Sequence, residues 1–249
     1  VKTVVYALLI AGAFRTLLFQ PFWIPSESMK DTLLVGDFVF VNKMAYGYSK
    51  YSCPFGLCPI SGRIFASEPE RGDVVVFRHP VSGADYVKRL IGLPGDKIQV
   101  KQGILYINGA VAPQVPAGTF EEVMEPQGPM KSRPACSNAP VGDGAICEKQ
   151  RFRETLPNGV VHDVMNTSDS LGIPDNTEVY VVPEGNYFFM GDNRDNSTDS
   201  RFSQLAGGVG MVPAENLIGR ADRIIFSSAG SSMLYFWTWR ADRFFKAVE

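Results

Sequence analysis

The chain has 249 residues, 45% hydrophobic and 20% charged, with a formal net charge of −2, a length that suits one large or two small domains and buries a core. No Lys/Arg block accompanies that near-neutral balance, which excludes a nucleic-acid binder of the usual basic kind. Its 24 Gly and 17 Pro call for many turns and favour β structure over a helical bundle.

The first element is apolar. Val4 to Phe19 carries only Arg15 and Thr16 as polar residues, and the apolar run continues to Trp23. That approaches the ~20 residues a bilayer span needs, with Arg15 placed to reach the head groups. We read residues 1–21 as a membrane-anchor helix. The alternatives are a secretory leader cleaved after Ala11-Gly12-Ala13 and a buried helix; the apolar residues beyond that point favour the anchor. Because the chain opens on Val, part of the natural N-terminus is expected to be missing.

Next comes Pro25-Ser26-Glu27-Ser28-Met29, the pattern of a nucleophile held in a bend. A serine hydroxyl needs a partner to take its proton. The two histidines, His79 and His162, are tied to Ser28 by no motif. Thr32 to Met44 alternates and is β-branched, as a strand or two around Gly36-Asp37 would be. Residues 45–72 predict an extended loop or hairpin holding Cys53 and Cys58. Asp73–Arg78 and Tyr86–Ile91 predict strands, the second closed by a Gly-Leu-Pro-Gly-Asp turn. In that strand alternation puts Tyr86, Lys88 and Leu90 on one face and Val87, Arg89 and Ile91 on the other. Lys88 either snorkels to the surface or is buried, and burial disfavours its ammonium form and makes it a general base.

Lys97–Val111 predicts a hairpin turning at Asn108-Gly109. Residues 112–178 are polar and broken, a looser module or long insertion holding Cys136 and Cys147. Strand patterns return at 178–182, 186–190, 209–212 and 217–226, around the polar cluster Gly191–Arg201. The tail FWTWRADRFFKA predicts a short amphipathic helix facing a membrane surface or a segment packed on the core. Neither cysteine pair has zinc-knuckle spacing or a nearby His, so two local disulfides, Cys53–Cys58 and Cys136–Cys147, are expected in an oxidising compartment. No metal or other cofactor is expected; the 191–201 cluster lacks the Gly and final Glu of a calcium loop.

Five blocks in order, PSESM, LLVGD, RGDVVVF, YVKRLIGLPGD and GDNRDNSTDSR, resemble bacterial type I signal peptidases, the leader peptidases. The likeness is close over 22–39, 71–97 and 187–201 and weak elsewhere. Glu27 stands where many relatives carry Gly, and Asp31 where Pro often follows. The resemblance implies that Ser28 is the nucleophile and Lys88 the general base. It implies an oxyanion hole from Ser26 and the Ser28 N–H, with Ser197 orienting the lysine and Asp199–Arg201 as a supporting ion pair. Phe22, Ile24, Pro25, Met29, Leu33, Val39, Val76 and Val87 match positions lining shallow pockets for small residues at −1 and −3 of the substrate; ordinary core is the other reading of each.

The expected fold is mainly β, a complex antiparallel β fold with an N-terminal anchor helix and an inserted second β module. The catalytic core would take 22–97 and 184–227, the module 98–183, and a membrane-proximal tail 228–249. The expected partners are exported preproteins and the lipid bilayer, with no nucleic acid. The expected place is the bacterial cytoplasmic membrane, with the catalytic part on its outer side. A membrane-tethered β scaffold or assembly factor and a self-cleaving Ser/Lys regulator are the competing functions.

Overall fold

The computed structural model describes residues 2–53, 56, 58–128, 131–168, 172–230 and 233–248. The apolar N-terminal run winds into one helix, α1 (Lys2–Leu17). Sixteen strands follow among the described residues: β1 (Phe19–Trp23), β2 (Asp37–Asn42), β3 (Tyr48–Ser49), β4 (Arg63–Ile64), β5 (Val74–Arg78), β6 (Asp85–Gly92), β7 (Lys97–Lys101), β8 (Ile104–Ile107), β9 (Ala110–Val111), β10 (Gln114–Val123), β11 (Ile146–Thr155), β12 (Val161–Asn166), β13 (Tyr180–Val181), β14 (Asn186–Met190), β15 (Val212–Pro213) and β16 (Leu217–Ser227).

Of the anchor expected over 1–21, the helical part ends at Leu17 and Phe19–Trp23 is a strand. α1 has 16 described residues and rises about 24 Å. Among the described residues no helix is long and apolar enough to cross a membrane. The apolar run divides because Phe19-Gln-Pro-Phe-Trp is poor helix and good edge strand. Pro21 would break a helix interior, but β1 is the outermost strand of its sheet, where proline is tolerated. Phe22 pairs with Val39 of β2, and the Phe19 and Phe40 rings lie 5.9 Å apart.

Seven antiparallel strands form the main sheet, in the order β1-β2-β16-β5-β6-β14-β15. β5 reads Val-Val-Val-Phe without alternation because both its faces are covered. Val74 and Val76 join one core, with Ile24, Met29, Leu33 and Val39, while Val75 and Phe77 join another, with Leu90 and Phe189. β6 is buried on both faces from Lys88 to Gly92. Across the β5–β6 register Val75 faces Lys88 and Val74 faces Arg89.

Residues 97–181 make two smaller sheets, β13-β7-β8-β9 and β10-β11-β12. The expected single hairpin over 97–111 is two. Gln102-Gly103 turns β7 into β8, and Asn108-Gly109 turns β8 into β9, all four at positive φ. The turn at 102–103 carries Gln in the left-handed region, a residue not marked as a turn former. The stretch read as loose is largely sheet: β10 and β11 run ten residues each. β10 is mostly solvent-facing, so polarity hid a strand. In the 45–72 region β3 and β4 pair as a short hairpin.

The tail forms two single-turn 3-10 segments, Phe236–Thr238 and Ala241–Arg243, in place of an amphipathic helix. Arg243 grips Asp37 at 2.6 Å and 3.1 Å, and Arg240 donates to Val35 O at 2.5 Å. These arginines hold the tail on the sheet while Phe236, Trp237 and Phe245 stay exposed.

Candidate active site

Residues 24–36 leave the edge strand, form a buttressed turn and return as β2. Ile24 donates to Asp37 O and Gly36 donates to Ile24 O, at 2.9 Å each. Inside that closure Lys30 N donates to Glu27 O at 3.0 Å and Leu33 N to Met29 O at 2.7 Å. Met29 is 0% exposed and plugs the core beneath, which fixes the residue before it, Ser28. No glycine is needed at Glu27. The described non-glycine residues at positive φ are Phe65, Gln102, Asn108, Lys131 and Phe245, so Glu27 completes the bend without left-handed strain.

The turn is held from outside by the polar cluster after β14. Asn193 N donates to Ser28 O, and Asn193 Nδ2 to Glu27 O, at 3.1 Å each. A Cβ at Gly191 would lie 2.5 Å from Ser28 O and 2.3 Å from Ser197 Oγ; only a residue without a side chain lets the two segments approach this closely.

Lys88 arrives from the middle of β6, 3% exposed, and its Nζ is hydrogen-bonded to Ser28 Oγ. The two are 60 residues apart in sequence. Burial pushes the Lys88 amine down from 10.5 to about 8. Asp199 and Asp192 act in the opposite direction, Arg201 with the burial. Neither carboxylate is free to hold the ammonium. Asp199 is bound by Arg201 at 2.8 Å and 2.9 Å, and Asp192 by Arg89 at the same two distances. Burial raises both carboxyls, but the arginines outweigh it and keep them below the usual range. The site is therefore an amine in an apolar strand whose nearby anions are already neutralised.

Ser26 Oγ lies 3.4 Å from Ser28 Oγ and is exposed. Ser197 is buried beside Asp199, whose carboxylate it helps to stabilise, and among the described residues its Oγ makes no aligned hydrogen bond to Lys88. Seven of the expected pocket residues, Phe22, Ile24, Met29, Leu33, Val39, Val76 and Val87, pack in one cluster. Met29, Leu33 and Val39 are 0% exposed and present no surface, whereas Phe22, Val87 and the exposed Pro25 do. His79 Nδ1 accepts from Val81 N and Ser82 N at 3.1 Å each, inside its own turn. Among the described residues no group of three or more His, Cys, Asp or Glu could hold a metal.

Two buried pairs were not singled out from sequence. Arg89–Asp192 ties β6 to the polar cluster, with Thr32 Oγ1 also donating to Asp192 at 2.5 Å. Arg194–Glu154 ties that cluster to β11, at 2.5 Å and 3.0 Å. Arg89 could have been found from its place beside Lys88 in an apolar strand. Glu154 carried no signal, since its partner lies 40 residues away.

A family model described as signal peptidase, peptidase S26, matches residues 1–226. The chain is 42% identical over 231 residues to a signal peptidase I of Rickettsia typhi, covering 90% of this chain and 78% of that protein. To a signal peptidase I of Rickettsia canadensis it is 41% identical over 239 residues, covering 91% and 79%. The solved structure of a signal peptidase I from Enterococcus faecalis overlaps 62% of this chain and 97% of its own, at 24% identity and a TM-score of 0.32.

Proposed function

The chain belongs to the signal peptidase family, peptidase S26, and on that premise we propose that it cleaves signal peptides from exported preproteins with Ser28 as nucleophile and neutral Lys88 as general base. Membership makes it a serine endopeptidase of the signal-peptide-cleaving kind; the residue roles and the setting are the proposal. The observation that carries it is the buried contact between Lys88 Nζ and Ser28 Oγ.

The chemistry runs as follows. Lys88 Nζ takes the Ser28 hydroxyl proton as Oγ attacks the scissile carbonyl carbon. The resulting oxyanion is held by the Ser28 N–H and Ser26 Oγ, each such donor worth about 3–4 kcal/mol. Collapse breaks the C–N bond, and the Lys88 ammonium returns its proton to the leaving amine. Lys88, neutral again, then deprotonates a water that hydrolyses the acyl-enzyme. Ser197 takes its orienting role when its hydroxyl turns from Asp199 toward Nζ, a movement compatible with the loose hydrogen bonds of unliganded sites. Phe22, Pro25 and Val87 offer the apolar contacts for small side chains at −1 and −3.

The working surface lies against the outer leaflet side of the bacterial cytoplasmic membrane. Supporting this, α1 exposes Val4, Tyr6, Leu9, Ile10 and Phe14. A file of rings that starts at the far end of β1 runs Trp23–Phe38–Phe226–Trp239, at centroid spacings of 6.5, 5.9 and 5.1 Å. Exposed Phe236 and Trp237 border that file in the tail, and such amphipathic rings suit a membrane interface. The catalytic body comprises 22–97 and 184–227, the second module 98–183.

The test is the purified protein in detergent with a preprotein. A single cut after a small residue is expected, and a substrate with a bulky residue at −1 should remain whole; indifference to that change would remove the reading. The outer location also predicts oxidised cysteines. Cys53/Cys58 and Cys136/Cys147 each have Cα atoms 5.2 Å apart, within disulfide span. Alkylation followed by mass measurement should label none before reduction and four after.

A further inference from the structure

Glu27 lies between the two serines and is 5% exposed, yet the mechanism above leaves it without a task. Its carboxylate sits in a buried square of charges. Lys30 Nζ is 3.4 Å from Glu27 Oε1 and 2.6 Å from Glu122 Oε2. Lys149 Nζ is 3.5 Å from Glu27 Oε2 and 2.7 Å from Glu122 Oε1. Lys30 and Lys149 are 1% and 0% exposed, so two cations and two anions balance away from water. Asn196 Nδ2 also donates to Glu27 Oε2 at 3.0 Å. Burial lowers the Lys30 amine, Lys149 adds to that, and Glu122 and Glu27 oppose both.

These contacts join three parts of the chain at one residue: the serine turn, the β10–β11 pair that carries Glu122 and Lys149, and the cluster that carries Asn193 and Asn196. Glu27 is pinned twice, through its carboxylate by the square and through its carbonyl by Asn193. The two donors assigned to the oxyanion, Ser26 Oγ and the Ser28 N–H, sit on either side of it. Their separation is set by the backbone of residue 27.

Resting on the proposed Ser28/Lys88 reading, we propose that Glu27 is a positioning residue: the charge square formed with Lys30, Glu122 and Lys149 fixes the Ser26–Ser28 turn from the second module. A displacement of about 1 Å in such a constellation costs on the order of 100-fold in rate. Glu27→Gln keeps the shape and removes the charge. It should lower kcat about 10- to 100-fold with KM changed less than about threefold.

A purely structural square would behave differently. Glu122 makes the two shorter ion pairs but does not adjoin the serines, so Glu122→Gln should cost more thermal stability and less kcat than Glu27→Gln. Exposed Asn196 supplies a variant that folds: Asn196→Ala should lower kcat about threefold or more and leave the midpoint of the pH profile in place, since Lys88 keeps its surroundings. Wild-type kcat in folded Glu27→Gln or in Asn196→Ala, or a loss confined to KM, overturns the proposal. So does a kcat loss that merely follows thermal stability across the three variants. Ser28→Ala runs alongside: if that variant still cleaves, the dyad reading has failed; if it is dead while Glu27→Gln is fully active, only the positioning role has.

Discussion

Ser28→Ala and Lys88→Ala should each lower cleavage of a preprotein at least about 10³-fold, with the fold retained. The size follows from roles that act as a unit: without the hydroxyl there is no acyl-enzyme, and without the amine the hydroxyl keeps its proton. The double variant should therefore be little worse than either single one, because the second removal takes away a step already lost. Ser28→Ala deletes one oxygen from a residue 7% exposed, so its melting temperature should stay near that of the parent. Lys88→Ala leaves a hole in a strand buried on both faces, and Lys88→Met fills it and serves as its control. Single-turnover assays with the preprotein in excess detergent decide the matter. Cleavage within tenfold of the parent in any of these variants would remove Ser28 or Lys88 from the chemistry. Simple additivity in the double variant would show that the two act separately.

How much of this was legible before the fold follows from where each partner lies in the chain. The candidate nucleophile and base were proposed from the resemblance of five ordered blocks, each of them short and local in the chain. The serine follows a proline bend; the lysine shares its strand face with Tyr86 and Leu90, a pattern that by itself left burial and a surface position both open. Alternation also placed Arg89 on the face opposite Lys88, but not that both faces of β6 are covered; that depends on β5 and β14 lying on either side. The Glu27 square was out of reach, because Lys30 meets Glu122 across 92 residues and neither charge is unusual in its own neighbourhood. Strand β10 was hidden by its solvent-facing side chains, and the turn at Gln102 by a residue type that rarely takes positive φ. The end of the N-terminal helix was missed for a different reason. Hydropathy alone does not separate a helix from an edge strand, and Pro21, inside the expected span, was the residue that should have divided it. For the tail the aromatics left a helix and a packed segment both open; the packed segment is what Arg240 and Arg243 hold, reaching back to Val35 and Asp37.

The rate of cleavage should rise with pH through a midpoint near 8 and fall about 50-fold between pH 8 and pH 6, as one titrating base requires. Only the neutral amine accepts the Ser28 proton, and burial sets the Lys88 value at about 8. That value survives beside two carboxylates because each is already paired. It follows that Arg201→Lys, which gives up the bidentate grip on Asp199, should move the midpoint upward as Asp199 becomes free to stabilise the ammonium. A profile flat down to pH 5 would mean that Lys88 is not the base. The same shift has a consequence for stability, with a definite sign. The amine has its ordinary value of 10.5 in the unfolded chain and about 8 in the folded one. Between those pH values the unfolded chain binds a proton that the folded chain releases, so stability from this group rises with pH across that window. Below pH 8 the cost of burying the charge is fully present, on the order of 3 kcal/mol. Lys88→Met carries no such cost. It should melt higher than the parent at pH 7, and the difference should shrink steadily above pH 8 and vanish near pH 11. An inactive variant that gains stability at neutral pH and loses its advantage in alkali would tie the catalytic amine to a buried, uncharged state by a measurement independent of turnover; equal melting curves at every pH would show an amine that is not desolvated.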